Sequence, residues 1–510
     1  MPASLSARSA CSFGLIFALG AALFACGSTG DGAVEPAAGP GGESATEPPP
    51  DGTERPDGGS SRDGSAPSDG GKHDASQPPQ GDGGTVVVPT GTVPLGVGEG
   101  HSCLLRATGL KCWGGNSWGV LGIGNTVPHG MNPGEMGSAL PYVDLGAHKA
   151  VSIEAGEAET CAILDDGSLA CWGKDDFFGA LGSGPGGDQG DSPSEMGAGL
   201  KRVLLGLAPG EKVTSVAMGS SRWTHGCALL STGRVKCWGD NGNGQLGVGD
   251  TKDRGKVAAE MGAALPAVDL GTGRKATQIA TGGTHNCAIL ENGHVKCWGD
   301  NWFGKLGIGE PVTQSRGDAP GEMGDALPEV NLGTGRTAKL IAAGWGTTCA
   351  VLDDDSIKCW GVIGEYGNGV SHNVGYQLSQ MGDALPGISF PGSAHIVQIS
   401  QKVDHACVVL DDGTARCWGR NGSGELGYGD KTFRNLAPNL PPIDLGAGRR
   451  VVAISASGAQ MPHTCALLDD GSVKCWGNNA AGQLGLGNTV TTGDGPGEMG
   501  SALPAVYLGP

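Results

Sequence analysis

Apolar residues in this chain come in short runs broken by Gly, Asp and Asn, and the same order of runs returns seven times. The last copy shows the unit. Residues 451–455 read as a strand, Cys465-Ala466-Leu467-Leu468 as a second and residues 472–476 as a third. Asp469-Asp470-Gly471 is a turn, and residues 478–487 form a Gly-rich loop. Residues 503–509 then leave room for a short fourth strand. No segment has the length and period of a helix. Four short strands per unit, repeated radially, predict an all-β, seven-bladed propeller with four-stranded antiparallel blades over residues 85–510.

Each copy carries two cysteines: Cys103 and Cys112, Cys161 and Cys171, Cys227 and Cys237, Cys287 and Cys297, Cys349 and Cys359, Cys407 and Cys417, Cys465 and Cys475. The second is always followed by Trp-Gly. A three-residue loop Asp469–Gly471 sets Leu468 opposite Ser472 and therefore Cys465 opposite Cys475, with Gly471 in the left-handed position. Directly opposed strand residues come close enough for a disulfide, so one disulfide per blade is expected. The first pair is one residue shorter, which a four-residue loop over residues 106–109 restores. Asp355 replaces the turn Gly in the fifth copy, a residue that tolerates the same conformation. Zinc binding does not fit these spacings, since no Cys-x-x-Cys occurs.

Composition adds a front end. An uncharged run over residues 13–25 follows Arg8 and ends Leu23-Phe24-Ala25-Cys26, which resembles the lipobox of bacterial lipoproteins. Phe24 departs from the small or β-branched residue usual there. The resemblance implies a signal peptide over residues 1–26 and lipidation of Cys26. Residues 27–84 contain no aromatic residue and read as a disordered acidic linker. The export signal and the sixteen Cys agree on an oxidising compartment. The formal net charge is −19; residues 1–84, with 11 acidic and 4 basic side chains, hold −7, leaving −12 for residues 85–510. An acidic body with no Lys/Arg-rich run opposes nucleic-acid binding.

His463-Thr464-Cys465-Ala466-Leu467-Leu468-Asp469-Asp470-Gly471, Cys475-Trp476-Gly477-Asn478-Asn479 and Gly482-Gln483-Leu484-Gly485-Leu486-Gly487 resemble the regulator-of-chromosome-condensation repeat. The fifth copy loses the Leu-Gly pair after Trp360, and the second gains a residue around Asp175-Asp176-Phe177-Phe178. Six copies carry a Met-Gly insertion, as at Met261-Gly262; the sixth lacks it. The insertion resembles that of secreted myxobacterial members and suggests packing, not chemistry.

Catalytic patterns fail on context. Gly115-Asn116-Ser117-Trp118-Gly119 matches a nucleophile elbow, but sister copies hold Gly242 and Gly422 at the Ser position. Gly242-Asn243-Gly244-Gln245-Leu246-Gly247 and Gly422-Ser423-Gly424-Glu425-Leu426-Gly427 match a dinucleotide fingerprint with no helix behind it. His101, His225, His285, His405 and His463 stand two residues before a first Cys, with Glu159 and Thr347 in the other copies; a repeated local hydrogen bond explains them better than a shared metal. Asp240-Asn241, Asp300-Asn301 and Asp250 offer oxygen ligands for calcium but read as turn formers. Sialidases also use propellers, but their chemistry needs a tyrosine nucleophile and an arginine cluster, and this chain shows no such constellation.

The expectation is therefore a monomeric, non-enzymatic, extracytoplasmic lipoprotein without cofactor, metal or nucleic acid. It would be exported, as a lipid-anchored protein of the outer membrane or cell surface, or as a periplasmic or extracellular one. It would bind an envelope or extracellular protein or glycan through loop aromatics: Trp118, Phe177, Phe178, Trp302, Phe303 and Tyr428. The family resemblance also implies a guanine-nucleotide-exchange regulator, and more distantly a secreted hydrolase or hydrolase inhibitor.

Overall fold

The computed structural model describes residues 94–176, 178–220, 224–310, 314–362, 373–458 and 460–509. The leader, the linker, Cys26 and Phe177 lie outside these residues. Seven antiparallel sheets follow one another along the chain, each built from consecutive strands. The first strands are Leu95–Val97, Ala150–Ala155, Val213–Met218, Ala276–Thr281, Ala338–Ala343, Ile396–Gln401 and Val451–Ala456. They neighbour one another in a cycle that closes from the last to the first. The middle strands begin at the His row, from His101–Arg106 to His463–Leu468, and the third strands end at the Trp-Gly pair, as in Val473–Gly477. Among the described residues no helix is long and apolar enough to cross a membrane.

The hairpin register follows from the turn chemistry. Leu468 donates to the Ser472 carbonyl at 2.9 Å, Gly471 takes φ +80°, and Cys465 stands opposite Cys475. All seven cysteine pairs are bonded within their own blade, as the register requires. Cys103 is joined to Cys112, Cys161 to Cys171, Cys227 to Cys237 and Cys287 to Cys297. Cys349 is joined to Cys359, Cys407 to Cys417 and Cys465 to Cys475. Asp355 takes φ +65°, the conformation expected of a turn Gly. In the first blade pairing runs on to Arg106 and Gly109, so the turn is the two-residue step Ala107-Thr108 and not the longer loop that the spacing suggested. The register still sets Cys103 opposite Cys112.

Among the described residues the blades are three-stranded, not four-stranded. The segment expected to form the fourth strand is present in every blade but touches the third strand through only one or two backbone bonds, as from Val268 to Val235 and Val506 to Val473, both 2.8 Å. Proline precedes it in six blades and removes a donor. Its later carbonyl turns to the next blade instead. Lys296, on the third strand of blade four, donates at 3.0 Å to the Leu270 carbonyl of blade three and at 2.8 Å to the Gly324 carbonyl of its own. Lys111, Lys236, Lys358 and Lys474 repeat the bridge. The glycine so gripped belongs to the Met-Gly insertion, and its own N–H reaches back to the preceding blade, as from Gly324 to the Asp269 carbonyl at 2.9 Å.

A three-stranded sheet has two faces to cover, and each is covered by a neighbouring blade. The core is divided into seven clusters, each pairing the disulfide of one blade with the Trp of the next. Cys287 and Cys297 pack with Trp360, and Cys465 and Cys475 with Trp113. Cys103 and Cys112 pack with Trp172, Cys161 and Cys171 with Trp238, and Cys227 and Cys237 with Trp298. Cys349 and Cys359 pack with Trp418, and Cys407 and Cys417 with Trp476. The Met of the insertion completes six of them, including Met381 and Met136. The insertion thus seals the seam between blades. Glu154 of blade two and Lys402, just beyond the first strand of blade six, add an ion pair at 2.7 Å between blades that are not neighbours in the cycle.

Replacing Lys296 by Met strands two carbonyls at a seam. The loss of two charge-assisted hydrogen bonds should cost about 2–4 kcal/mol in urea unfolding; a loss under about 0.5 kcal/mol contradicts the bridge.

Candidate binding surface

The histidine row lies on the seams. His101 reaches Thr160 of the next blade at 2.9 Å, His225 reaches Asn286 at 3.1 Å, His285 reaches Thr348 at 2.8 Å, His405 reaches Thr464 at 2.9 Å, and His463 reaches Ser102 at 2.9 Å, always through Nε2. The partner donates onward to a loop carbonyl of the histidine's own blade: Thr348 to Lys305 at 2.9 Å, Thr464 to Glu425 at 2.8 Å, Asn286 to Gln245 at 2.6 Å. The tryptophan indoles donate to the same carbonyls, Trp360 to Lys305 and Trp476 to Glu425. Because the hydroxyl spends its proton on the carbonyl, His285 and His405 must carry theirs on Nε2. His463 differs: Nδ1 lies 3.0 Å from the Met461 carbonyl and Nε2 2.9 Å from the Ser102 hydroxyl, which itself lies 3.0 Å from the Gln483 carbonyl, so one ring proton and one hydroxyl proton serve three contacts.

The two exceptions follow the same logic. Blades three and six have Gly226 and Ala406 where the others have a hydroxyl or amide, and the blades before them have Glu159 and Thr347 instead of His. Histidine is present where the next blade offers a partner. Burial is complete, and it holds His101 and His405 down to about 3, His225 and His463 to about 4, and His285 well below its ordinary value. Gly282 allows this fit, since a Cβ there would collide with the His285 ring. Each ring serves its own seam, and the one histidine–carboxylate cluster with metal-ligand spacing among the described residues is elsewhere, at His148, Asp165 and Asp166.

The other motifs resolve into turns. Asn116, Asn241, Asn301, Asn421 and Asn479 are buried loop anchors. Asn241 donates to the Asp250 and Lys252 carbonyls at 2.7 and 3.1 Å and accepts from Leu246 at 2.9 Å. Asn116 does the same inside the nucleophile-elbow match, as Asn241 and Asn421 do just before the dinucleotide matches. Asp250 is engaged by Arg254 at 2.8 and 3.0 Å, and Asp240 by Gln245.

These anchors present the loop aromatics in different ways. The Tyr428 hydroxyl bonds both the N–H and the carbonyl of Cys417, at 3.1 and 3.0 Å, and its ring packs on a seam cluster, so it serves the core. Trp118 has the Lys174 ammonium 5.2 Å from its ring centre, and Phe178 has that of Lys256 at 5.3 Å. Trp302 and Phe303 stand apart. Trp302 is 59% exposed, and Phe303 sits between it and Trp345, with ring centres 5.9 and 6.2 Å apart. Phe303 takes φ +70°, which for an aromatic residue is strained by roughly 1–3 kcal/mol. Trp345, 42% exposed, comes from the turn between the first two strands of blade five. It has room because the corresponding residue of blade four is Gly283, without a Cβ. Sequence reasoning missed Trp345; its signal was a Trp in a turn where blade four has Gly-Gly-Thr.

The repeat described as "Regulator of chromosome condensation (RCC1) repeat" matches residues 213–245, 276–304, 396–425 and 462–483, and a second form of it matches residues 232–289. The chain is 28% identical over 408 residues to the ultraviolet-B receptor UVR8 of Arabidopsis thaliana, covering 78% of this chain and 79% of that protein. It is 26% identical over 381 residues to the human E3 ubiquitin-protein ligase HERC2, covering 74% of this chain but only 7% of the ligase. Among solved structures, Prp20p of Saccharomyces cerevisiae, described with its binding to Gsp1p and histones, superposes with a TM-score of 0.55 at 20% identity, covering 81% of this chain and 86% of that one.

The buried histidines set an acid limit on stability. Unfolded imidazole titrates near 6.5, while these rings stay neutral in the fold to about pH 4 or below. Unfolding takes up protons between those values, so their contribution is complete above about pH 6.5 and is lost as the pH falls. Glu159 acts oppositely: burial pushes it up to about 8 from 4.5, so its contribution is present below 4.5 and lost as pH rises through 8. Replacing His285 by Gln should flatten the slope of unfolding free energy between pH 6 and 4.5 by up to ~1.4 kcal/mol per pH unit. Coincident slopes for parent and variant contradict this.

Proposed function

We propose that this chain, a propeller of regulator-of-chromosome-condensation repeats, is a non-enzymatic binding platform held outside the cytoplasm by an N-terminal lipid. Relatives with this fold support the coarse part of that reading: the yeast structure is described with two protein partners. The observation that carries it is the pair of exposed tryptophans, Trp302 and Trp345, gathered around half-buried Phe303 on blades four and five. Aromatic side chains concentrate binding energy at interfaces, and a strained residue such as Phe303 is retained where the surrounding structure enforces it. A protein or a glycan presents the flat apolar faces such a surface takes. The nucleotide-exchange reading rests on family resemblance alone, and the charge of −12 over residues 85–510 works against a chromatin role.

With the full chain as bait for an envelope fraction and for polysaccharides, the double substitution Trp302→Ala and Trp345→Ala should weaken capture by about thirtyfold, equivalent to ~2 kcal/mol. Unchanged capture by a folded variant removes this surface from the account. Tethering is tested separately. Cys26→Ala should move the protein from the membrane to the soluble fraction and abolish its acyl mass. A parent protein without acyl mass overturns the lipoprotein reading.

A further inference from the structure

The loop aromatics of blades one and two are each covered by a cation from the following blade: Trp118 by the Lys174 ammonium and Phe178 by that of Lys256. Phe303 holds the same place in blade four, since each of the three immediately precedes a loop glycine, Gly119, Gly179 or Gly304. Both positions that supply the cation have counterparts in blade five. Lys174 follows the Trp-Gly pair of blade two, and Val362 follows that of blade five. The backbone nitrogen of Lys256 lies against Gly179, as that of Tyr376 lies against Gly304. Val362 is beside the ring: a Cβ at Gly346 would come 2.8 Å from Val362 Cγ2 and 4.0 Å from Phe303 Cδ2. Val362 and Tyr376 bring no cation, and among the described residues none stands over Trp302, Phe303 or Trp345. Lys305, two residues beyond Phe303, is buried and donates to Asp300 and Thr284 at 2.6 and 2.8 Å.

We infer that the aromatic group of blades four and five takes its cation from outside, as the docking surface for a lysine or arginine side chain of a partner protein. The inference rests on the binding-platform reading above and names what the partner presents there. A cation within about 6 Å of a ring centre is attracted by the negative face of the ring, most strongly by an indole. Lys174 and Lys256, at 5.2 and 5.3 Å, show that this loop frame accepts an ammonium over its aromatic residue. The rings of Trp302 and Trp345 meet Phe303 at interplanar angles of 70° and 49°, not stacked, and both indoles stay open to solvent. The charge of −12 over residues 85–510 complements a basic partner surface. A neutral glycan would cover the same rings without supplying the charge that the sister loops have.

The test is fluorine NMR on the full chain labelled with fluorotryptophan, with the two signals assigned from Trp302→Phe and Trp345→Phe. The probes, at physiological salt, are an end-blocked lysine tripeptide and the same peptide acetylated on the lysine amine. The lysine peptide should shift both signals. Its acetylated form should bind at least about fivefold more weakly, the ratio for one exposed cation–π contact of ~1 kcal/mol. Val362→Lys and Tyr376→Lys each install the cation of a sister blade, so each should weaken the lysine peptide by a similar factor while melting like the parent; if one fails to fold, the other still reports. Equal binding of the two peptides, or no shift with either, overturns the cation assignment. The platform itself stands or falls separately, on capture by the protein carrying Trp302→Ala and Trp345→Ala.

Discussion

The structure depends on one constraint: a three-stranded blade cannot cover its own faces. Its disulfide, packed beneath the tryptophan of the next blade, is the centre of a core that belongs to neither blade alone. Everything polar at the seam follows from that sharing. An indole N–H buried between two sheets needs an acceptor, and a loop carbonyl of the preceding blade supplies it. The same carbonyl accepts the hydroxyl or amide that follows the histidine position, and the histidine of the preceding blade meets that group from the other side. Lysine closes the outer rim by holding one carbonyl from the fourth-strand segment of the preceding blade and one from the insertion of its own. The ring closes between blades seven and one by the same means, through His463 and Ser102, Trp113 and Gln483, and Lys111 and Leu508.

Such seams explain where variation is tolerated. In five blades the buried asparagine and the glycine three residues on fix the two ends of the loop, as Asn301 and Gly304 do in blade four. The two residues between them are free of that duty. They are Gly242 and Asn243 in one blade, Ala480 and Ala481 in another, and Trp302 and Phe303 in blade four. The same asparagine and glycine anchors therefore carry a bland loop and an aromatic one, although the N–H that Asn243, Ser423 and Ala481 give to the side chain two residues on finds no acceptor in Lys305, and the strain at Phe303 is borne by a frame that its neighbours already secure.

Much of this was legible in the residues. A turn Gly at a fixed distance between two cysteines sets a register, and Asp355 obeyed the same rule. The histidine row was readable as a hydrogen-bonding position because it recurs at one place in the repeat. Its dependence on the next blade was not, because it links residues 59 positions apart whose contact only the ring creates. The fourth strand was overread for a similar reason: its residues have strand character, but proline and a lysine from another blade take its partners. Tyr428 reads like a loop aromatic until its hydroxyl is seen on the Cys417 backbone. Trp345 stands in a turn, and its meeting with Phe303 depends on the room left by Gly283 of the preceding blade, which the ring brings beside it.

The central claim is that adjacent blades are joined by specific polar relays and not by apolar contact alone, and the closing seam tests it best because no nearby chain connection assists it. A double-mutant cycle of Ser102→Ala and His463→Phe isolates the pair, whose members are 361 residues apart. The account predicts a coupling energy of about 1 kcal/mol in urea unfolding. Strictly additive losses would contradict it.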